Sequence, residues 1–137
     1  MNTRALTACL AGSLALWACG GEDLGKHTDT ACPSGSAVTY PNDIEPFMTK
    51  YCTVCHAKSV PVSSRNGAPT DHNFETESGV LAEATHVDQE AGASASVTNT
   101  QMPPKGFPSP SVEERKKLSE WLACNQIAGG GTPHIHE

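Results

Sequence analysis

Cys52-Thr53-Val54-Cys55-His56 is a C-x-x-C-H string, the spacing used for covalent attachment of haem c. Each residue type has a chemical job. The two thiols add across the haem vinyl groups and become thioethers. Two intervening residues let both sulfurs reach one edge of the porphyrin. His56 follows at once, so its imidazole can turn under the ring as the proximal iron ligand.

Two other readings of a C-x-x-C pair compete: a redox disulfide and half of a zinc site. A thioredoxin-like site calls for a neighbouring βαβ pattern, which this sequence lacks. A four-ligand zinc site calls for a second Cys/His cluster, and His134-Ile135-His136 in a Gly-rich tail is the sole candidate. Covalent haem is therefore the expected cofactor.

The N-terminus bears on the compartment. Met1-Asn2-Thr3-Arg4 is a short positive segment, followed by an apolar stretch from Ala5 to Ala18. That stretch is shorter than the roughly 20 apolar residues of a membrane-spanning helix and suits a secretory signal over residues 1–18. It ends Leu16-Trp17-Ala18-Cys19-Gly20, which resembles a bacterial lipobox, with Cys19 as the lipidated first residue of the mature chain. Ordinary signal cleavage nearby, leaving Cys19 as a free thiol, is the alternative. Both place the mature protein in the periplasm or cell envelope, and lipidation would anchor it to the membrane there.

Six cysteines can then be assigned. Cys9 leaves with the signal, Cys19 takes lipid, and Cys52 and Cys55 take haem. Cys32 and Cys124 remain as candidate disulfide partners in an oxidising compartment. A bridge across so long a loop stabilises by roughly 4 kcal/mol on the chain-entropy account. Two buried or free thiols are the other reading.

Of 137 residues, 18 belong to the signal, which leaves 119 for one small domain and its linkers. Aromatic residues make up only 5% of the chain, so a large flat apolar cofactor would supply core that the side chains do not. Dropping Arg4 from 9 Lys+Arg leaves 8 against 15 Asp+Glu. An acidic chain argues against nucleic acid and against charge-driven binding to anionic lipid. It suits a carrier that meets basic patches on redox partners, and equally a solvated acidic surface.

Residues 19–38 read as a lipid-anchored flexible tether, 39–127 as the folded domain and 128–137 as a Gly-rich tail. Asn42 and Asp43 are cap candidates for a first helix with Pro46 in its first turn, and Ile44, Phe47, Met48 and Tyr51 give its apolar face. That helix runs directly into the Cys52–His56 string. Residues 57–75 read as loop. A second helix is expected from about Thr76 to Ala91, with Val80, Leu81, Ala84 and Val87 on one side. Residues 92–100 are again loop. Ser111-Val112-Glu113-Glu114 resembles a capping box, and Leu118, Trp121 and Leu122 form the stripe of a last helix that frays near Asn125.

The sixth iron ligand is sought among three methionines. Met1 belongs to the signal, and Met48 is tied to the attachment edge. Met102 lies in Thr100-Gln101-Met102-Pro103-Pro104, where two prolines stiffen the backbone after the sulfur. A thioether presented there, across the ring from His56, favours reduced iron and raises the potential. A Met filling a gap under a Pro-rich loop is the plainer reading. His72 and His86 are weaker candidates for a distal ligand. His27 falls in the tether.

From about Tyr40 to Asn125 the chain resembles a small single-haem class I-type cytochrome c domain, particularly that of bacterial lipoprotein cytochromes. Cys52, Cys55 and His56, the Met102-Pro103-Pro104 loop and the last helix through Trp121 carry the likeness. Asp43-Ile44-Glu45-Pro46, Ala68-Pro69 and the Trp121-to-Cys124 ending add to it. The resemblance implies an all-α fold of about three to four helices around one covalently attached haem. It also implies that the first and last helices cross near the haem edge, with Ile44 and Phe47 near Leu118 and Trp121. Such domains often place an aromatic four residues before the first haem Cys. Here Met48 holds that position and the aromatic is Phe47.

The expected function is a one-electron carrier with His56/Met102 ligation, not in itself an enzyme. A haem-containing subunit of a redox enzyme and a ligand-sensing haem protein with an open sixth site are the alternatives. No second C-x-x-C-H and no separate base–nucleophile constellation stands out.

Overall fold

The computed structural model describes residues 24–129, with side chains as far as 126. The signal segment, Cys19, His134 and His136 lie outside the described residues. Four α-helices form the described part: α1 (Glu45–Tyr51), α2 (Glu77–Ala82), α3 (Ala84–Ala91) and α4 (Val112–Gly129). Among the described residues there is no strand beyond one isolated bridge between Ala93 and Thr98. No helix among them is long and apolar enough to cross a membrane. The architecture is all-α.

The first helix begins earlier than its sequence suggests. A π-helical turn, Tyr40–Ile44, precedes α1, with Thr39 as its cap position and Pro41 at its start. Asn42 and Asp43 therefore sit inside the helical run instead of capping it. The Asp43 carboxylate reaches back to accept the Thr39 N–H at 3.1 Å, which satisfies a donor that would otherwise be orphaned at the helix start. Pro46 stands in the first turn of α1. Helix α4 packs on the π-helical turn, where Tyr40 and Trp121 place their ring centroids 5.7 Å apart.

Residues 76–91, expected as one helix, form two. Thr76 caps α2 by accepting the Gly79 N–H. At Glu83 the backbone leaves the helix (φ −112°, ψ 23°) before α3 begins. Val80, Ala84, Val87 and Ala91 are buried on both sides of the break, so the apolar spacing runs through a kink that it does not reveal. Between α1 and α2 the loop contains a single 3₁₀ turn, Val62–Ser64.

Helix α4 opens with a reciprocal capping box. Ser111 N–H donates to Glu114 Oε2 at 2.8 Å, and Glu114 N–H donates to Ser111 Oγ at 3.2 Å. It continues past Asn125 to Gly129. Arg115, Leu118, Ser119 and Leu122 fall at i, i+3, i+4 and i+7 and are all buried, with Trp121 beside them.

The segment from Leu24 to Val38 is a docked strap, not a free tether. Thr28 gives its N–H and its hydroxyl to the Asp88 carboxylate at 2.9 and 2.8 Å. Asn99 accepts the Lys26 N–H and donates to the Lys26 carbonyl. Ser36 donates to Glu120, and Cys32 is joined to Cys124 on α4. At Gly25 a Cβ would collide with the Gln89 carbonyl oxygen, so only glycine allows this approach to α3. Composition suggested a tether because Ser, Thr and Gly are polar and small. Here those same groups satisfy one another and helix α3.

Candidate functional site

Helix α1 ends at Tyr51, and the string follows as a tight turn. Cys52 and Thr53 both donate their N–H to the Met48 carbonyl at 2.9 Å. Cys55 and His56 both donate to the Cys52 carbonyl, at 3.1 and 2.9 Å. The two thiols are thus presented on successive arms of one turn, and neither is in a disulfide. Burial pushes the Cys52 thiol up to about 12, so it stays protonated and uncharged in apolar surroundings.

His56 is buried, and its ring lies over Phe74 with centroids 4.7 Å apart at 20°. Its Nδ1 stands 3.3 Å from the His72 carbonyl oxygen. A carbonyl can only accept, so Nδ1 carries the proton and Nε2 keeps the lone pair. Burial holds the imidazole down to about 4, which keeps it neutral near pH 7. A neutral imidazole with one nitrogen committed to a carbonyl is the form that binds a metal through the other.

The acceptor is itself fixed. Arg65, only 3% exposed, donates to the carbonyls of Ala57 (2.7 Å), Ala68 (3.2 Å), Pro69 (2.5 Å) and His72 (2.8 Å). It also reaches Asn73 Oδ1 at 3.1 Å. One guanidinium therefore organises the loop that orients His56.

Met102 receives the same treatment from a second arginine. Its N–H donates to the Glu90 carbonyl at 2.9 Å, and its own carbonyl accepts from Arg115 at 2.9 Å. Arg115 is 1% exposed and also donates to the Ala91 carbonyl at 3.0 Å. Burial lowers its pKa, and these acceptors satisfy the charge it retains. Pro103 and Pro104 follow, and the Met102–Pro103 bond is cis.

One cavity collects these groups. Cys52, His56 and Met102 line it together with Met48, Phe74 and Val87. Its walls are mostly apolar, and it opens to solvent. Cys55 is partly buried and stands off the lining. His72 and His86 also reach the wall, but both share the Glu83 carboxylate, each 3.4 Å from its Oε2. His27 is exposed on the strap.

The residues present fit a covalent haem. Two free thiols flank a turn, a neutral tautomer-fixed imidazole follows them, and a thioether from 46 positions on shares the same apolar cavity. Arg65, Arg115 and Glu83 carry no local sequence signature. Arg65 and Arg115 are the only arginines after Arg4, and that scarcity is the one signal that could have drawn attention to them. No family model, curated protein or solved structure matches the chain.

Proposed function

We propose that this chain is a single-haem c-type cytochrome that carries one electron at a time in the bacterial cell envelope. Cys52 and Cys55 are its attachment thiols, and His56 and Met102 are its axial ligands. The observation that carries this reading is the single apolar cavity shared by Cys52, His56 and Met102. When bound, the haem supplies a one-electron Fe(II)/Fe(III) couple whose potential the axial ligands tune.

The chain's own residues do the rest. His56 is held in one tautomer by the His72 carbonyl. Phe74 and Val87 give the cavity apolar walls. Met102 is positioned through its backbone at both its N–H and its carbonyl, so its thioether is presented from a fixed loop. His56 and Met102 would hold the haem iron from this cavity, and ligation by both would leave no iron position for a substrate, the pattern of a carrier. Val54, between the two thiols, is 55% exposed and offers a redox partner an apolar contact beside the attachment edge. The formal charge of −6 suits a basic partner protein and no nucleic acid. Lipidation at Cys19 would hold the domain at a membrane in the periplasm.

Absorption spectra of the chain, produced with haem-attachment machinery, test the reading. The expected result is one covalent haem per chain and a sharp low-spin reduced spectrum. The oxidised form should show a weak long-wavelength iron–sulfur band, and carbon monoxide should have no effect. Full alkylation of Cys52 and Cys55 would exclude haem attachment. A high-spin spectrum or ready carbon monoxide binding would replace the carrier with a sensing or catalytic haem protein.

A further inference from the structure

We propose that His72, Glu83 and His86 form a second metal site, for a divalent ion of the zinc or copper class. The three residues come from separate places in the fold: the loop after the Cys52–His56 turn, the kink between α2 and α3, and the first turn of α3. Their ligand atoms lie within 4.8 Å of one another. Glu83 Oε2 is 3.4 Å from His72 Nε2 and 3.4 Å from His86 Nδ1.

Those two distances accommodate a shared ion as well as direct ion pairs. A charge-assisted N–H to carboxylate bond closes to about 2.7–2.9 Å. Two ligands at about 2.0–2.1 Å from a tetrahedral ion stand about 3.3–3.4 Å apart. The third edge, between the imidazoles, is shortened by turning His86, the most exposed of the three side chains at 23% against 11% and 9%.

The surroundings are those of a built site. Glu83 sits at the kink and is only 9% exposed. The His72 backbone is pinned by Arg65 and His56, so its imidazole hangs from a fixed support. Two imidazoles and one carboxylate are a borderline donor set that suits zinc or copper, whereas calcium and magnesium take all-oxygen sites. Three protein ligands leave a fourth position for water, the pattern of an open site.

Zinc titration of the full chain after chelator dialysis tests this, by calorimetry and by metal counting after gel filtration. The starting chain carries His134→Ala and His136→Ala so that the tail cannot contribute. The expected result is one zinc per chain, with Glu83→Gln and His86→Gln each weakening binding at least about tenfold at unchanged helical content. No stoichiometric zinc, or binding that survives both substitutions, overturns the site. Should Glu83→Gln lose its helical signal, His86→Gln decides alone. The titration reads zinc directly, and haem content is measured alongside it because His72 and His86 line the same cavity, so failure of zinc binding and failure of the haem reading are told apart.

Discussion

Arg65 feeds four backbone carbonyls from a buried position, and a hydrocarbon in its place would leave them without donors. Hydrogen bonds from a charged group are worth about 1.5–3 kcal/mol each, and stranded acceptors cost about 1–3 kcal/mol. Arg65→Leu is therefore expected to lower stability by about 3 kcal/mol or more, read from urea unfolding. Arg65→Lys should recover only part, since a point-like ammonium cannot span the same carbonyls. Under the proposed His56/Met102 ligation, Met102→Ala is expected to leave haem attached, lower the reduction potential and permit carbon monoxide binding. An unchanged spectrum would remove Met102 from the iron. Arg115→Leu acts one step back: with the Met102 carbonyl released, the long-wavelength iron–sulfur band should weaken on mild heating before the helices melt. The cysteines, His56 and Met102 stand out in the sequence because the proposed bonding chemistry restricts residue type and spacing, and the structure brings Cys52, His56 and Met102 to one cavity. The arginines were not, because their role depends on where the carbonyls of two loops come to lie.

Helix α4 shows how far pattern reaches at the level of an element. Its start was readable because Ser111 and Glu114 satisfy each other at a separation fixed by helix geometry. Its buried face was half readable: Leu118, Trp121 and Leu122 announce it, whereas Arg115 and Ser119 extend it while looking like solvent-facing residues. The kink at Glu83 was hidden because the apolar residues keep helical spacing through it. Ser111→Ala is expected to cost about 1 kcal/mol in thermal or urea unfolding. The cap also carries a pH dependence. Ser111's N–H and hydroxyl, then the Tyr51 hydroxyl and Lys50, hold the Glu114 carboxyl down to about 2, against an ordinary 4.5. A depressed carboxyl stabilises the fold above its unfolded value and loses that contribution as pH falls toward the folded one. Stability should thus drop between about pH 4.5 and 2. The carboxylate is 40% exposed, so screening keeps the effect to about 1 kcal/mol or less. In Glu114→Gln this part of the acid limb should flatten, checked by melting temperatures across the same range.

Over the whole molecule, the two ends of the described chain are brought together by the strap. Cys32 and Cys124, 92 positions apart, are joined, and Thr28 and Ser36 fasten the same segment to Asp88 and Glu120. Asp88 also accepts the Ser119 hydroxyl at 2.7 Å, so one carboxylate ties strap, α3 and α4 together. This matters for a domain with few aromatics, because the strap covers the helices that carry the Met102 loop. A crosslink over so long a loop restricts the unfolded chain strongly, by about 4 kcal/mol on the chain-entropy account. The Cys32→Ser, Cys124→Ser double variant should lose about that much in urea unfolding. The polar fastenings should still dock residues 24–30, so amide exchange at Lys26 and Thr28 should rise by less than exchange at Cys32 and Ser36. Alkylation of the intact protein without reductant should label neither Cys32 nor Cys124. Labelling of both, with unfolding midpoints equal in parent and variant, would show that the strap is held by its polar fastenings to Asp88, Asn99 and Glu120 without the bridge.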